Sequence, residues 1–207
     1  MAKKKVAPSR LARERKAQVR RLLAFSLTVF FIKIMWLSSK EGRGLLGADG
    51  ENYLQGLEGL LSEGFFSTAE KLSYWPAGYP ILLWLLVLIS VSKFVFLISF
   101  IQSIFFAYAT YYMTKKISKS SAAWLAVPAS IFISFNPTLS LSTLAVGYEA
   151  PVAACFMMAI GVLLASKLNP ESSQYKFASF AGAWIALASF MQPRYLLAGV
   201  VMLMIWG

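Results

Sequence analysis

From residue 77 onward the sequence is a succession of apolar segments separated by short polar breaks. Hydrophobic residues make up 58% of the chain, and the mean hydropathy is +0.62. This pattern is typical of polytopic membrane proteins, in which length is best counted in spans of about 20 residues. The sequence predicts an all-α transmembrane helix bundle with apolar segments at Leu22–Leu37, Ala77–Val91, Phe94–Met113, Ala122–Phe135, Pro151–Ala165, Phe177–Met191 and Tyr195–Trp206.

The basic residues indicate how the chain is inserted. The net charge is +11, and nine of the twenty lysines and arginines lie within residues 1–21. Because cytoplasmic segments carry the excess of positive charge, residues 1–21 are predicted to be a basic cytoplasmic segment held at the anionic leaflet. Residues 22–207 then form a transmembrane module, with a first outer loop at 38–76. A nucleic-acid-binding protein would spread its charge over a folded surface, so we expect no nucleic-acid partner.

The segment Ala77–Val91 decides the topology. Its fifteen residues would form a helix of about 22 Å, short of a ~30 Å hydrocarbon core, so we interpret it as re-entrant or juxtamembrane. The cluster Lys115–Lys119 then faces the cytoplasm, whereas Asp49, Glu149 and Arg194 face outside. In the competing count this segment crosses the membrane, which puts Glu149 inside and the lysine cluster outside.

The absence of histidine limits the chemistry. The chain has no histidine and one cysteine, Cys155, inside an apolar run. This composition excludes Ser-His-Asp and Cys-His catalysis, His-ligated zinc or haem, and a disulfide within the chain. Acid–base chemistry therefore falls to Asp, Glu, Lys, Tyr or water.

The carboxylates are concentrated in the first outer loop. Apolar residues recur there at i, i+1, i+4, i+7 and i+8 from Tyr53, which predicts an amphipathic helix on the outer membrane surface that ends near Gly64. Asp49 lies at or just before its start, as either the N-cap or a catalytic carboxylate. Six of the nine acids belong to this loop: Glu41, Asp49, Glu51, Glu58, Glu63 and Glu70.

Two more charged residues lie at the predicted outer boundary. Glu149 is either a functional acid or a solvated loop end. Arg194 is either a snorkelling interfacial cation or a ligand for phosphate, which a guanidinium binds bidentately. The aromatic residues of this boundary are typical of an interfacial belt, and some of their rings could stack on a sugar: Tyr53, Tyr74, Trp75, Tyr79, Tyr148 and Tyr195.

These residues form a pattern that resembles a known family. A basic N-terminus and first span precede an outer loop with Asp49 and Tyr53, then Trp75-Pro76-Ala77-Gly78-Tyr79-Pro80 before an apolar helix, and later Glu149. The pattern resembles the N-terminal catalytic module of GT-C type integral-membrane glycosyltransferases. The similarity is to the bacterial branch of aminoarabinose transferases and protein O-mannosyltransferase-like enzymes. That family often has two prolines at 76–77 and Asp at the position of Glu149.

The resemblance implies an enzyme of the bacterial cytoplasmic (inner) membrane. It would transfer a hexose- or mannose-like sugar from a polyprenyl-phosphate donor to a lipid, glycan or protein acceptor outside. Asp49 is implied as catalytic base or orienter, and Glu149 as an assisting or metal-binding acid. The candidate substrate-binding residues are Tyr53, Lys71, Tyr79, Tyr148 and Arg194.

The chemistry of such a transfer agrees with these residue types. A carboxylate can take the proton of the acceptor hydroxyl, and one base with direct displacement inverts the anomeric centre. Two close carboxylates repel unless a cation lies between them. We therefore predict Mg²⁺ or Mn²⁺ at Asp49 and Glu149, or else Lys71 or Arg194 in place of the ion.

Other function classes stay open. The last apolar run reaches Gly207 with no polar cap, so either the helix ends there or the chain is the front part of a longer protein. Members of the resembled family are usually about twice this length. A truncated or degenerate transferase, or a scaffold, is therefore the alternative. A transporter is a weaker one, because charged residues are scarce in mid-span and no repeat halves are visible.

Overall fold

The structure is a computed structural model that describes residues 14, 17–21, 29, 45–46, 49–171 and 173–206. The predicted first span, Leu22–Leu37, and most of the basic N-terminal segment lie outside the described residues. The described part is mostly helical. Its elements are β1 (Leu45–Leu46), α1 (Gly50–Glu63), α2 (Glu70–Tyr74), α3 (Gly78–Ile89), α4 (Phe94–Ile117), a 3-10 turn (Ala123–Leu125), α5 (Ala126–Phe135), α6 (Pro137–Ser142), β2 (Ala145–Val146), α7 (Glu149–Lys167), α8 (Gln174–Met191) and α9 (Tyr195–Trp206).

Two described helices are long and apolar enough to cross a membrane: α4 with 24 residues and α7 with 19. The predicted span Ala122–Phe135 is instead divided into a 3-10 turn and the ten-residue α5. Between α5 and α7 the chain forms the six-residue α6 and the two-residue β2. Pro137 occupies the first turn of α6, and the Asn136 side chain caps that helix by accepting from the Leu139 amide.

Helices α4 and α7 run parallel along their shared contact. Ser99 donates to the Leu144 carbonyl just before α7, Thr110 contacts the Met157 sulfur, and Tyr112 lies against Gly161. A Cβ at Gly161 would lie 2.5 Å from the Tyr112 ring, so the missing side chain permits this close approach. Parallel packing puts the lysine-rich end of α4 and Lys167 at one end of the bundle and Glu149 at the other.

The last two helices pack along α7: α8 runs back from its far end, and α9 then returns in the direction of α7. On α8, Trp184 stacks on Phe105 with ring centroids 5.5 Å apart, and Met191 reaches the level of Tyr79. On α9, Gly199 lies against Ile185, and Trp206 reaches Ser166 at the far end of α7. The observed bounds of α9 confirm the predicted segment Tyr195–Trp206.

Helix α3 is short and packs against the start of α4. Tyr79 in its first turn meets Gln102, while Leu86 lies near Ile98. It therefore runs antiparallel to the first turns of α4. Its twelve residues span about 18 Å, which agrees with the expectation that this segment is too short to cross.

The amphipathic helix α1 is present, but its apolar face packs on protein. Tyr53, Leu57 and Leu60 are at most 3% exposed, and the helix packs on α3. Leu61, expected on the same face, is 51% exposed. The prediction that α1 lies on the membrane surface through this face was therefore wrong. The predicted end of the helix at Gly64 is confirmed by a φ of 84° there.

Candidate functional site

A two-residue parallel ladder joins the two segments that carry the predicted acids. Leu45 pairs with Ala145 and Leu46 with Val146. Asp49 and Glu149 each follow their strand at the same offset, three residues beyond the last paired residue. Parallel strands leave a sheet at the same edge, so two acids a hundred positions apart in sequence are brought to one end of the fold.

Asp49 does not serve as the hydrogen-bonding cap of α1. It occupies the N-cap position, but its side chain accepts no capping hydrogen bond. Only its backbone carbonyl engages the helix, by accepting from the Tyr53 amide at 3.2 Å. Asp49 is half-buried at the N-terminus of the helix. The interpretation of Asp49 as an N-cap therefore lacks the side-chain hydrogen bond that defines such a cap.

Glu149 is the first residue of α7 and is half-buried rather than fully solvated. Its carboxylate turns back over the residue two positions earlier, because a Cβ built at Gly147 would lie 2.5 Å from the Glu149 Oε2. Gly147 therefore leaves room for this carboxylate. Glu149, like Asp49, lies at the start of a helix and on the same edge of the ladder.

Tyr53 is the centre of an aromatic cluster between these acids. Its side chain is fully buried, and its ring packs edge-on against Trp75, Tyr79 and Tyr148 with centroids 5.9, 5.1 and 5.9 Å away. Edge-to-face pairs at such distances are favourable beyond their area of contact. The rings that the sequence placed in an interfacial belt thus include three that pack around one tyrosine.

The Tyr53 hydroxyl has no hydrogen-bond partner among the described residues. Burial raises the pKa of this phenol, and the nearby charges of Tyr148, Asp49 and Glu149 raise it further, whereas Arg194 acts in the opposite direction. The hydroxyl therefore stays neutral, and it interacts electrostatically with both carboxylates and with the guanidinium. A buried hydroxyl without a partner is uncommon in native proteins.

Tyr79 connects the two halves of the site through hydrogen bonds. Its hydroxyl accepts from the Gly147 amide at 2.9 Å and from the Gln102 side chain at 2.5 Å. Gln102 is 2% exposed, and its other amide atom has no partner in the described part of the chain. Gln102 was not among the site residues predicted from the sequence. The available signal was a lone amide in the apolar run 94–113, since polar groups within spans are usually functional or paired.

Arg194 approaches the cluster from the turn before α9. It donates a hydrogen bond to the Tyr148 hydroxyl, and its guanidinium carbon lies 5.4 Å from the ring centroids of both Tyr148 and Tyr195. The side chain stays exposed. An exposed guanidinium held by two aromatic faces is oriented and still accessible to an anionic ligand.

Lys71 is connected to the cluster through its helix. It lies on α2, and its backbone carbonyl accepts from the Trp75 amide at 3.0 Å, one turn from the ring that packs on Tyr53. The structure thus gathers Asp49, Glu149, Tyr53, Tyr79, Tyr148 and Arg194 at one end of the bundle. The predicted metal has two carboxylate candidates there, and no group of three or more metal-ligating side chains occurs in the described ranges.

An apolar groove of about 300 Å³ begins beside Tyr79 and Gln102. It lies between α3, α4, α7 and α8, and its walls are aliphatic apart from those two side chains and Phe105. The groove is therefore suited to a hydrocarbon chain rather than to a sugar. Its residues include Leu82, Leu85, Leu86, Ile98, Ile101, Leu187 and Met191.

Comparisons with known proteins give no match. No family model, no curated protein and no solved structure matches this chain.

Proposed function

We propose that this protein is an inverting, GT-C-like polytopic membrane glycosyltransferase that uses a polyprenyl-phosphate sugar on the outer side of a bacterial inner membrane. The observation that supports it most is the parallel ladder that brings Asp49 and Glu149 to one edge. A buried tyrosine hydroxyl that has no partner in the described part of the chain lies at the same end, as does an exposed arginine held by aromatic rings. Carboxylate, hydrogen-bonding group and cation are the three elements that such a transfer needs.

In the proposed reaction Asp49 acts as the general base. The acceptor hydroxyl attacks the anomeric carbon, its proton passes to Asp49, and the bond from that carbon to the phosphate oxygen breaks. One displacement of this kind inverts the anomeric centre. Arg194 binds the departing polyprenyl phosphate, whose hydrocarbon chain would lie in the groove beside Tyr79. Glu149 assists by holding the acceptor or a cation.

The assignment of Asp49 is tested by comparing two variants of α1. Asp49→Asn removes the base, whereas Glu58→Gln removes a charge from an exposed position of the same helix. In proteoliposomes supplied with labelled polyprenyl-phosphate hexoses and pentoses, we expect transfer to fall about a hundredfold or more in the first variant and little in the second. Equal transfer by Asp49→Asn and wild type would overturn the role of Asp49. Absence of transfer by the wild type with every donor would favour the non-catalytic alternative.

The cation requirement is a separate prediction. Asp49 and Glu149 would hold Mg²⁺ or Mn²⁺ together with the donor phosphate, a donor set that these ions accept. The ion would neutralise the leaving phosphate. We expect a chelator to abolish transfer, and excess Mg²⁺ to restore it. If Arg194 supplies the charge instead, Arg194→Gln loses activity while the chelator has no effect. Full activity in both experiments would show that the two acids do not form one charged site.

A further inference from the structure

A second cavity lies at the opposite end of the bundle from the candidate site. It has a volume of about 690 Å³ and lies between the end of α7, the start of α8 and the end of α9. Because α4 and α7 run parallel, this is also the end that carries Lys115, Lys116 and Lys119. The cavity shares no lining residue with the groove beside Tyr79.

The lining of the cavity has two chemically different parts. Leu163 and Leu203 contribute apolar walls, whereas Ser166, Lys167 and Gln174 contribute polar groups. A hollow with an apolar wall and a cationic side chain matches an amphiphile that carries a negative charge. A purely polar anion would leave the apolar wall exposed to water, at a cost proportional to its area.

The lysine of this cavity is held in place by an aromatic ring. The Lys167 ammonium lies 4.2 Å from the centroid of the Trp206 ring, and the Trp206 indole donates to the Ser166 hydroxyl at 3.3 Å. The ring therefore fixes the charge at the junction between α7 and α9. Trp and Lys together are typical of the level of lipid headgroups at a membrane boundary.

The charge of this end favours an anionic partner. Five lysines belong to the described helix ends and connections there, against one acid, Glu171: Lys115, Lys116, Lys119, Lys167 and Lys176. In the topology that the positive-inside rule predicts, these residues face the cytoplasmic leaflet, which carries the anionic lipids.

We propose that this cavity binds the phosphate headgroup of an anionic phospholipid, with Lys167 pairing with the phosphate and the acyl chains following the apolar wall. The site is independent of the proposed transferase chemistry. Basic hollows between membrane helices are a recognised way to hold anionic lipids on the cytoplasmic side.

Native mass spectrometry of the purified full chain tests this site. The protein is released from detergent after incubation with phosphatidylglycerol or with phosphatidylcholine, and the fraction that retains one lipid is counted. We expect phosphatidylglycerol to be retained more strongly, and its retention to fall about fivefold in Lys167→Gln, since one lysine near a lipid surface is worth roughly that factor. Lys167→Arg should retain the lipid, as should Lys119→Gln, the control at the same end.

Other outcomes would contradict the proposed lipid site. Equal retention of the two lipids, or undiminished retention by Lys167→Gln, would overturn the site. Displacement of the lipid by excess inorganic phosphate alone would show that a soluble phosphate is the ligand. Thermal unfolding of each variant distinguishes loss of lipid binding from loss of the fold. If Lys167→Gln does not fold, the folded fractions of Lys167→Arg and Lys167→Met are compared instead. Retention by Lys167→Arg but not by Lys167→Met supports the site, and equal retention by both overturns it.

Discussion

At the scale of single residues, two features shape the candidate site. One is the missing side chain at Gly147, and the other is the Tyr53 hydroxyl. Gly147 leaves the space into which the Glu149 carboxylate turns. The buried Tyr53 hydroxyl has no partner among the described residues, while the Tyr79 hydroxyl has two. A buried hydroxyl left open costs free energy, on the order of 1–3 kcal/mol.

The Gly147→Ala substitution tests the position of the Glu149 carboxylate. The new Cβ would lie 2.5 Å from Oε2, so the carboxylate has to move, while the amide that bonds Tyr79 is kept. Since the obstructed atom is the end of a flexible side chain, we expect little change in thermal unfolding but a loss of transfer of roughly tenfold to a hundredfold. Gly182→Ala on α8, where nothing lies within 4 Å, is the control. Unchanged transfer would mean that Glu149 has no part in the reaction.

At the scale of elements, the turn after α1 is built by one carboxylate. Glu63 Oε2 accepts from the Ser67 hydroxyl at 2.9 Å and from the Thr68 amide at 2.8 Å. Gly64, with its positive φ, lets the chain reverse directly after the helix. The turn then delivers α2 and Trp75 to the face of Tyr53, so a local hydrogen bond supports the wall of the candidate site.

This turn should loosen in acid. The Ser67 hydroxyl first, and then the Thr68 amide, lower the pKa of Glu63 below its ordinary value of 4.5. Since the folded-state pKa is the lower one, the stabilisation is fully present above pH 4.5 and is lost as the pH falls through the folded-state pKa. We expect protection of the Thr68 amide against hydrogen exchange, corrected for the intrinsic rate, to decline over that range. In Glu63→Gln it should be lower and independent of pH, and Glu58→Gln should behave as wild type. Identical profiles for wild type and Glu63→Gln would contradict this.

At the scale of the whole molecule, parallel packing of α4 on α7 separates two chemically different ends. The acids and Arg194 lie at one end, and the lysines and the larger cavity lie at the other. Both ways of counting the spans agree that these ends face opposite sides of a membrane. They differ in which side is outside, and the charge rule assigns the lysines to the cytoplasm.

Single cysteines at Ser142 and Ser173 test the orientation, in a background with Cys155 replaced by Ala. Ser142 ends α6, just before the ladder, and Ser173 precedes α8 at the lysine end. In intact cells we expect an impermeant thiol reagent to label position 142 and not 173, with labelling of 173 after permeabilisation as the control. The reverse pattern would mean that the segment with α3 crosses the membrane.

The sequence by itself determined what depends on neighbours along the chain. Apolar periodicity and length predicted α1 with its stop at Gly64, the shortness of α3 and the bounds of α9. These features follow from local backbone preferences and from the apolar segments, which are visible within a window of about 20 residues. The charge distribution along the chain also made Asp49 and Glu149 candidate acids.

Only the tertiary structure decided which residues meet. The ladder between positions 45–46 and 145–146, the packing of Tyr53 on Tyr79 and Tyr148, and the bond from Gln102 to Tyr79 all join distant segments. The apolar face of α1 had two possible partners, lipid and protein, and hydrophobicity alone does not distinguish them. Contact with α3 resolves this choice because the close approach of Gly56 to Pro80 lets the two helices pack side by side.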